Sequence, residues 1–273
     1  MTTSPGATSP PGPTNPPGAT TPPGTPNWVD LATPDLESAT SFYGGLFGWT
    51  AQVSEDPAAG GYTIFHKDGL PVAGAGPKYD EAQPTFWSTY IATADADATA
   101  AAVERAGGKV LMAPFDVLDQ GRMAVLLDPA GAAFSVWQPG AMPGAGLFNV
   151  PGALCWNELT TRDPDGAKRF YPAVFGWTAK DNAYGDVTYT EWQLGDRSVA
   201  GMMPMVGDAW PADLPPHWMI YFAVADADIA AARAVELGGS APVPPTDTPQ
   251  GRFAVLNDPQ GAHFSVIAMT TPS

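Results

Sequence analysis

The stretch Trp28–Thr50, WVDLATPDLESATSFYGGLFGWT, returns 128 residues later as Trp156–Thr178, WNELTTRDPDGAKRFYPAVFGWT. Working outward, WSTYIATADAD at 87–97 returns as WMIYFAVADAD at 218–228, and QGRMAVLLDPAGAAFSV at 120–136 as QGRFAVLNDPQGAHFSV at 250–266. A nearly constant offset means that a whole domain is duplicated, since solenoid repeats run to only about 20–50 residues. Each copy is long enough to bury an apolar core of its own. The expected layout is a tail over 1–26, one domain over 27–140, a Gly- and Pro-rich linker over 141–151 and a second domain over 152–273.

Within the first copy, Trp28–Ala32 alternates like a strand, and Thr33-Pro34-Asp35 starts a helix whose apolar positions Leu36, Ala39, Phe42, Tyr43 and Leu46 share one face. Strands are predicted near 49–53, 62–68 and 72–78, separated by Asp-Pro, Gly-Gly and Asp-Gly. The order then repeats: a strand over 85–94, an Ala-rich helix over 95–106 stopped by Gly107-Gly108, and strands near 109–117, 122–128 and 132–138. The chain therefore reads as an α+β protein of four βαβββ units, at about 27–80, 84–140, 153–206 and 216–269.

Composition narrows the function. The net charge is −16. Residues 27–140 carry 14 acids against 5 bases, and 151–273 carry 14 against 7. Both domains would repel a phosphate backbone, so nucleic acid is not an expected partner. The first 26 residues hold nine Pro, four Gly and seven Thr with no charge, which favours a disordered, polyproline-like tail over a signal peptide. No stretch reaches the roughly 20 apolar residues of a membrane span. The single cysteine, Cys155, leaves no disulfide framework, and a cytoplasmic location is expected. No Gly-x-Ser-x-Gly elbow, Gly-x-Gly-x-x-Gly turn or phosphate-binding Gly-Lys-Ser/Thr loop is present.

The four units, the Phe-Tyr helix leading to LFGWT, the ADAD turn before an Ala-rich helix and the Asp-Pro-x-Gly-Ala-x-Phe-Ser ending resemble the vicinal-oxygen-chelate superfamily of glyoxalases, bleomycin-resistance proteins, extradiol dioxygenases and epimerases. The opening GTPNWVDLATPD is similar to actinobacterial two-domain glyoxalase-like proteins of the 27 kDa antigen or hydroxylase-like subgroup. The resemblance implies two half-barrel cups, each able to hold a divalent metal through His or Glu on strands one, four, five and eight. The matching positions here carry Trp28 and Trp156, Ser88 and Met219, and, in place of the final glutamate, Ser135 and Ser265. Indole, thioether and hydroxyl groups are poor ligands for Zn, Ni, Mn or Fe, so no metal and no other cofactor is expected. A partial metal site of Glu158 and His263 in the second domain is the alternative.

By strand alternation the inward-facing candidates are Trp28, Asp30, Tyr90 and Trp137 in the first cup, and Trp156, Glu158, Tyr221 and His263 in the second. Such an aromatic cup suits a small planar ligand. The alternative for each ring is a plain core role. Asp30 and Glu158 are expected to pair with Arg122 and Arg252, Glu158 being also the candidate general base. The expected function is binding of a small aromatic or apolar metabolite or drug at degenerate metal sites. The alternative is a metal-assisted glyoxalase-like lyase or a hydroxylase- or dioxygenase-like enzyme acting on a small carbonyl or aromatic compound. Since one chain completes both cups, a monomer is expected ahead of a dimer.

Overall fold

The computed structural model describes residues 21–270 except Tyr79, Asp186 and Ala209. The tail expected over 1–26 lies outside the described residues up to position 20. Its last part is built into the fold: Gly24 N–H donates to Ala92 O at 2.8 Å, and Pro26 begins the first strand.

The first domain runs β1 (Pro26–Thr33), α1 (Leu36–Phe47), β2 (Thr50–Val53), β3 (Thr63–Lys67), β4 (Leu70–Pro77), β5 (Phe86–Ala92), α2 (Ala96–Arg105), β6 (Lys109–Val117), β7 (Gly121–Leu127) and β8 (Ala133–Pro139). The second repeats it as β9 (Leu154–Thr161), α3 (Pro164–Phe175), β10 (Thr178–Tyr184), β11 (Val187–Leu194), β12 (Arg197–Pro204), β13 (His217–Ala223), α4 (Ala227–Glu236), β14 (Ser240–Thr248), β15 (Gly251–Asn257) and β16 (His263–Met269). Each helix is started by an aspartate whose carboxylate accepts a backbone N–H three residues on: Asp35 from Ser38, Asp95 from Ala98, Asp163 from Gly166 and Asp226 from Ile229. Helices α1 and α3 stop at Gly48 and Gly176, both left-handed.

Each domain is one eight-stranded sheet in the order β2-β3-β4-β1-β5-β8-β7-β6 or its counterpart β10-β11-β12-β9-β13-β16-β15-β14. Two βαβββ units thus join side by side, through the antiparallel pairs β1·β5 and β9·β13. In the first sheet, Ile64 of β3 and Phe115 of β6 pack on one inner cluster although six strand spacings separate them. At about 4.8 Å per spacing a flat sheet would hold them nearly 30 Å apart, so the sheet must curl into a half-barrel.

The apolar cores are not private to each domain. Helix α1, through Phe42, Tyr43 and Phe47, shares one core with Ile220, Phe222, Phe264 and Val266 of the second domain. Phe170, Tyr171 and Trp177 share the other with Ile91, Phe134 and Val136 of the first. The Phe-Tyr and Phe-Gly-Trp motifs explain this exchange. Tyr43 OH donates to Asp258 at 3.1 Å while accepting from Trp87 Nε1 at 2.9 Å, and Tyr171 OH does the same with Asp128 and Trp218, both at 3.1 Å. Trp49 Nε1 donates to Gly152 O, and Trp177 Nε1 to Gly24 O, each at 2.7 Å. The expected private cores are therefore corrected to shared ones: a sheet covered by only two helices leaves part of its helix-bearing face open, and the other domain's helices fill it.

Candidate functional site

With the helix-bearing faces consumed by domain docking, chemistry is left to the inner faces. On strands β1 and β9 alternation turns Trp28 and Asp30, or Trp156 and Glu158, away from the helices. In the first domain Trp28 Nε1 donates to Tyr62 OH at 3.1 Å, and Asp30 accepts from Tyr90 OH at 2.8 Å and Tyr62 OH at 3.5 Å. In the second, Trp156 Nε1 donates to Tyr189 OH at 2.9 Å and Tyr221 OH to Glu158 at 2.9 Å, with the Tyr189 hydroxyl also on Glu158. Each phenol lies over a glycine, Tyr62 on Gly74 and Tyr189 on Gly201, where any Cβ would occupy the hydroxyl's place.

Burial raises the Asp30 carboxyl to about 6, against the pull of its two tyrosine donors. Burial likewise raises Glu158, opposed by Tyr221 and Tyr189. The expected ion pairs do not form. Arg122 binds Asp97 at 2.7 Å and Asp116 at 2.9 Å, and Arg252 binds Asp228 at 2.6 Å and Asp247 at 2.9 Å. The reason is alternation: Arg122 shares its face with the core residues Ala124 and Leu126, and Arg252 with Ala254 and Leu256, so both point to the helix side.

The two inner faces differ in cover. In the first, Trp28, Tyr90, Met123 and Trp137 are only 3–6% exposed. The segment between the domains closes over them: Met142 and Phe148 pack on the rings, Trp137 Nε1 donates to Met142 O at 2.9 Å, and Ala145 N–H to Asn27 O at 2.9 Å. Gly144, at φ +116°, permits the approach, since a Cβ there would stand 2.7 Å from Asn27 O. In the second, Trp156, Tyr189, Tyr221, Phe253 and Ile267 remain partly exposed while Glu158 is only 9% exposed. Phe253 takes the place of Met123, and Ile267 that of Trp137. Tyr184 meets Tyr189 edge-on at 5.9 Å, and Gln250 Nε2 donates to its hydroxyl.

The residues singled out from sequence thus assemble in two places. Trp28, Asp30, Tyr90 and Trp137 come together beneath the linker, and Trp156, Glu158 and Tyr221 in the open cup. His263 is exposed at the start of β16, its Nδ1 2.5 Å from Asn257 Oδ1, with partly buried His217 close enough for their charges to act on each other. Tyr62, Tyr189, Tyr184, Phe253 and the covering Met142 and Phe148 were missed. The signal for Tyr189 was the alternation of Val187, Tyr189 and Glu191; that for the cover was the apolar content of AMPGAGLFNV at 141–150.

A metal does not fit. Among the described residues no group of three or more His, Cys, Asp or Glu side chains is placed to hold an ion. At the position matching the family's first ligand, the Trp156 nitrogen carries a hydrogen already donated to Tyr189. Among the described residues no helix is long and apolar enough to cross a membrane.

Two tandem half-barrels of paired βαβββ units define the class of protein. The chain belongs to the Glyoxalase/Bleomycin resistance protein/Dioxygenase superfamily, whose sequence model matches residues 25–136 and again 154–266. It is 48% identical over 258 residues to the anthracycline biosynthesis protein DnrV of Streptomyces peucetius, covering 89% of this chain and 93% of that one. It is 46% identical over 252 residues to the candidate glyoxylase CFP32 of Mycobacterium bovis, covering 89% and 94%. The Mn(II)-bound glyoxalase of Novosphingobium aromaticivorans shares the fold, with a TM-score of 0.60 and 18% identity over 92% of this chain and 86% of that one.

Proposed function

We propose that the open cup of the second domain binds a small planar aromatic molecule without a metal ion, and that the first domain is its closed, structural counterpart. The observation that carries this reading is a contrast in cover at three equivalent positions: Trp28, Tyr90 and Trp137 are buried, whereas Trp156, Tyr221 and Ile267 are partly exposed. Trp156, Tyr189, Tyr221 and Phe253 offer faces and edges for stacking, and Glu158 with its two phenols offers a polar anchor at the base. The similarity to a protein of anthracycline biosynthesis supports a planar, polycyclic ligand. The test is titration of the full chain with acridone, a neutral tricycle, followed by its fluorescence. Saturable one-to-one binding, weakened at least tenfold by Trp156→Ala in a variant that still folds, is the expected result. Absence of binding, or binding indifferent to Trp156, overturns the reading.

A second reading rests on Glu158, a carboxylate at the base of the cup whose burial raises its pKa above the ordinary carboxylate value and makes it a stronger base. A base beneath a bound carbonyl compound could abstract a proton, as in a glyoxalase-like isomerisation. Metal analysis of protein purified without chelator, joined to a hemithioacetal turnover assay, separates the two. Stoichiometric Zn, Ni, Mn or Fe with turnover lost in Glu158→Gln would replace binding with catalysis.

A further inference from the structure

Resting on the open-cup reading, we propose that the ligand of the second domain is an organic cation, an aromatic amine or quaternary nitrogen whose positive charge sits against Glu158. Three observations converge. The Glu158 carboxylate lies at the base of the cup with only tyrosine hydroxyls as partners, and among the described residues no lysine or arginine reaches it. The arginine expected to pair with it is committed elsewhere, Arg252 being held by Asp228 and Asp247, and Lys180 of the same sheet stands 3.6 Å from Glu191. A buried carboxylate without a cation is costly, and a cationic ligand relieves that cost in a way a neutral one does not.

The walls fit the same chemistry. Tyr189 and Tyr221 hold the acid, Trp156 and Phe253 adjoin those two phenols, and ring faces attract cations electrostatically, Trp most strongly. Beside Tyr221, the buried Ser265 hydroxyl interacts with the phenol and adds polarity beneath the wall. At longer range the chain's charge of −16 attracts cations and repels anions.

The experiment compares two tricycles of similar shape on the full chain at neutral pH: 9-aminoacridinium, which is cationic, and acridone, which is neutral. Titrations run at low salt and again at about 0.5 M, where screening suppresses attraction to the exposed acidic surface. The expected result is a preference of at least tenfold for the cation that persists at high salt. Glu158→Gln should erase the preference while leaving acridone binding within about twofold. Should Glu158→Gln fail to fold, the pH dependence of the wild-type protein serves: the cation preference should fall as acidification protonates Glu158, and a preference constant down to the onset of unfolding overturns the proposal. Equal affinity for both tricycles overturns the cation but leaves the aromatic site standing. Failure of both to bind overturns the site itself.

Discussion

The inner faces of the two domains carry the same chain of hydrogen bonds, Trp28–Tyr62–Asp30–Tyr90 in the first and Trp156–Tyr189–Glu158–Tyr221 in the second, yet only the first lies under the interdomain segment. The difference comes down to few residues. Trp137 bridges the first cup to Met142, whereas the equivalent Ile267 is too small to bridge anything and carries no N–H. Under the proposed reading, in which the first domain is structural, an acid between two phenols is tolerated as plain structure. Function must therefore be sought in what surrounds it, and the acid alone identifies no site.

The comparison breaks most visibly at Trp137. Replacing this 6% exposed ring by Ala should destabilise the protein by about 3–5 kcal/mol in denaturant unfolding, whereas Ile267→Ala, at a partly exposed position, should cost well under half of that. Equal losses would mean that the second cup is as closed as the first.

Asp30 sharpens the contrast through pH. Its folded pKa of about 6 lies above the ordinary 3.8, so its favourable contribution is complete below pH 3.8 and lost as pH rises through 6. Asp30→Asn, which keeps an acceptor for Tyr90, should therefore gain on the wild type from pH 4 to pH 7, by up to about 3 kcal/mol. Unfolding curves for both proteins at each pH decide it, and a constant difference would mean that Asp30 keeps an ordinary carboxylate pKa in the folded protein. Glu158→Gln should show the same sign.

Closing the open cup tests it from the other side. Ile267→Trp rebuilds the ring of the first domain in the second without removing any polar contact. It should weaken acridone binding at least thirtyfold, about 2 kcal/mol, with stability unchanged or raised. The smallest effect is expected at the domain junction, where Tyr43→Phe leaves Asp258 and Trp87 each short of a partner and should cost about 1–2 kcal/mol. Tyr171→Phe, its counterpart, should cost the same, since the two junctions are built alike.

Duplication, the four βαβββ units and nearly every strand were legible because period-2 and period-3.6 patterns are local. The side-chain types at Trp28, Trp156, Ser135 and Ser265 could be read directly, but that these positions match metal ligands came from the family resemblance. Arg122 and Arg252 were misplaced although the same rule, counted from Ala124 and Ala254, would have turned them to the helix side. The cover over the first cup and the sharing of cores were not legible, because both depend on how distant segments meet. Nothing in AMPGAGLFNV tells which of two similar bowls it will seal.

Tyr43 and Tyr171 each complete a core that belongs half to the other domain. Neither half of the chain can then be cut away and kept, and heating should melt both in one calorimetric transition. Cohesion between the halves resides on one surface of each sheet and the proposed recognition on the other, so substitutions lining the open bowl should leave intact the joint that holds the protein together.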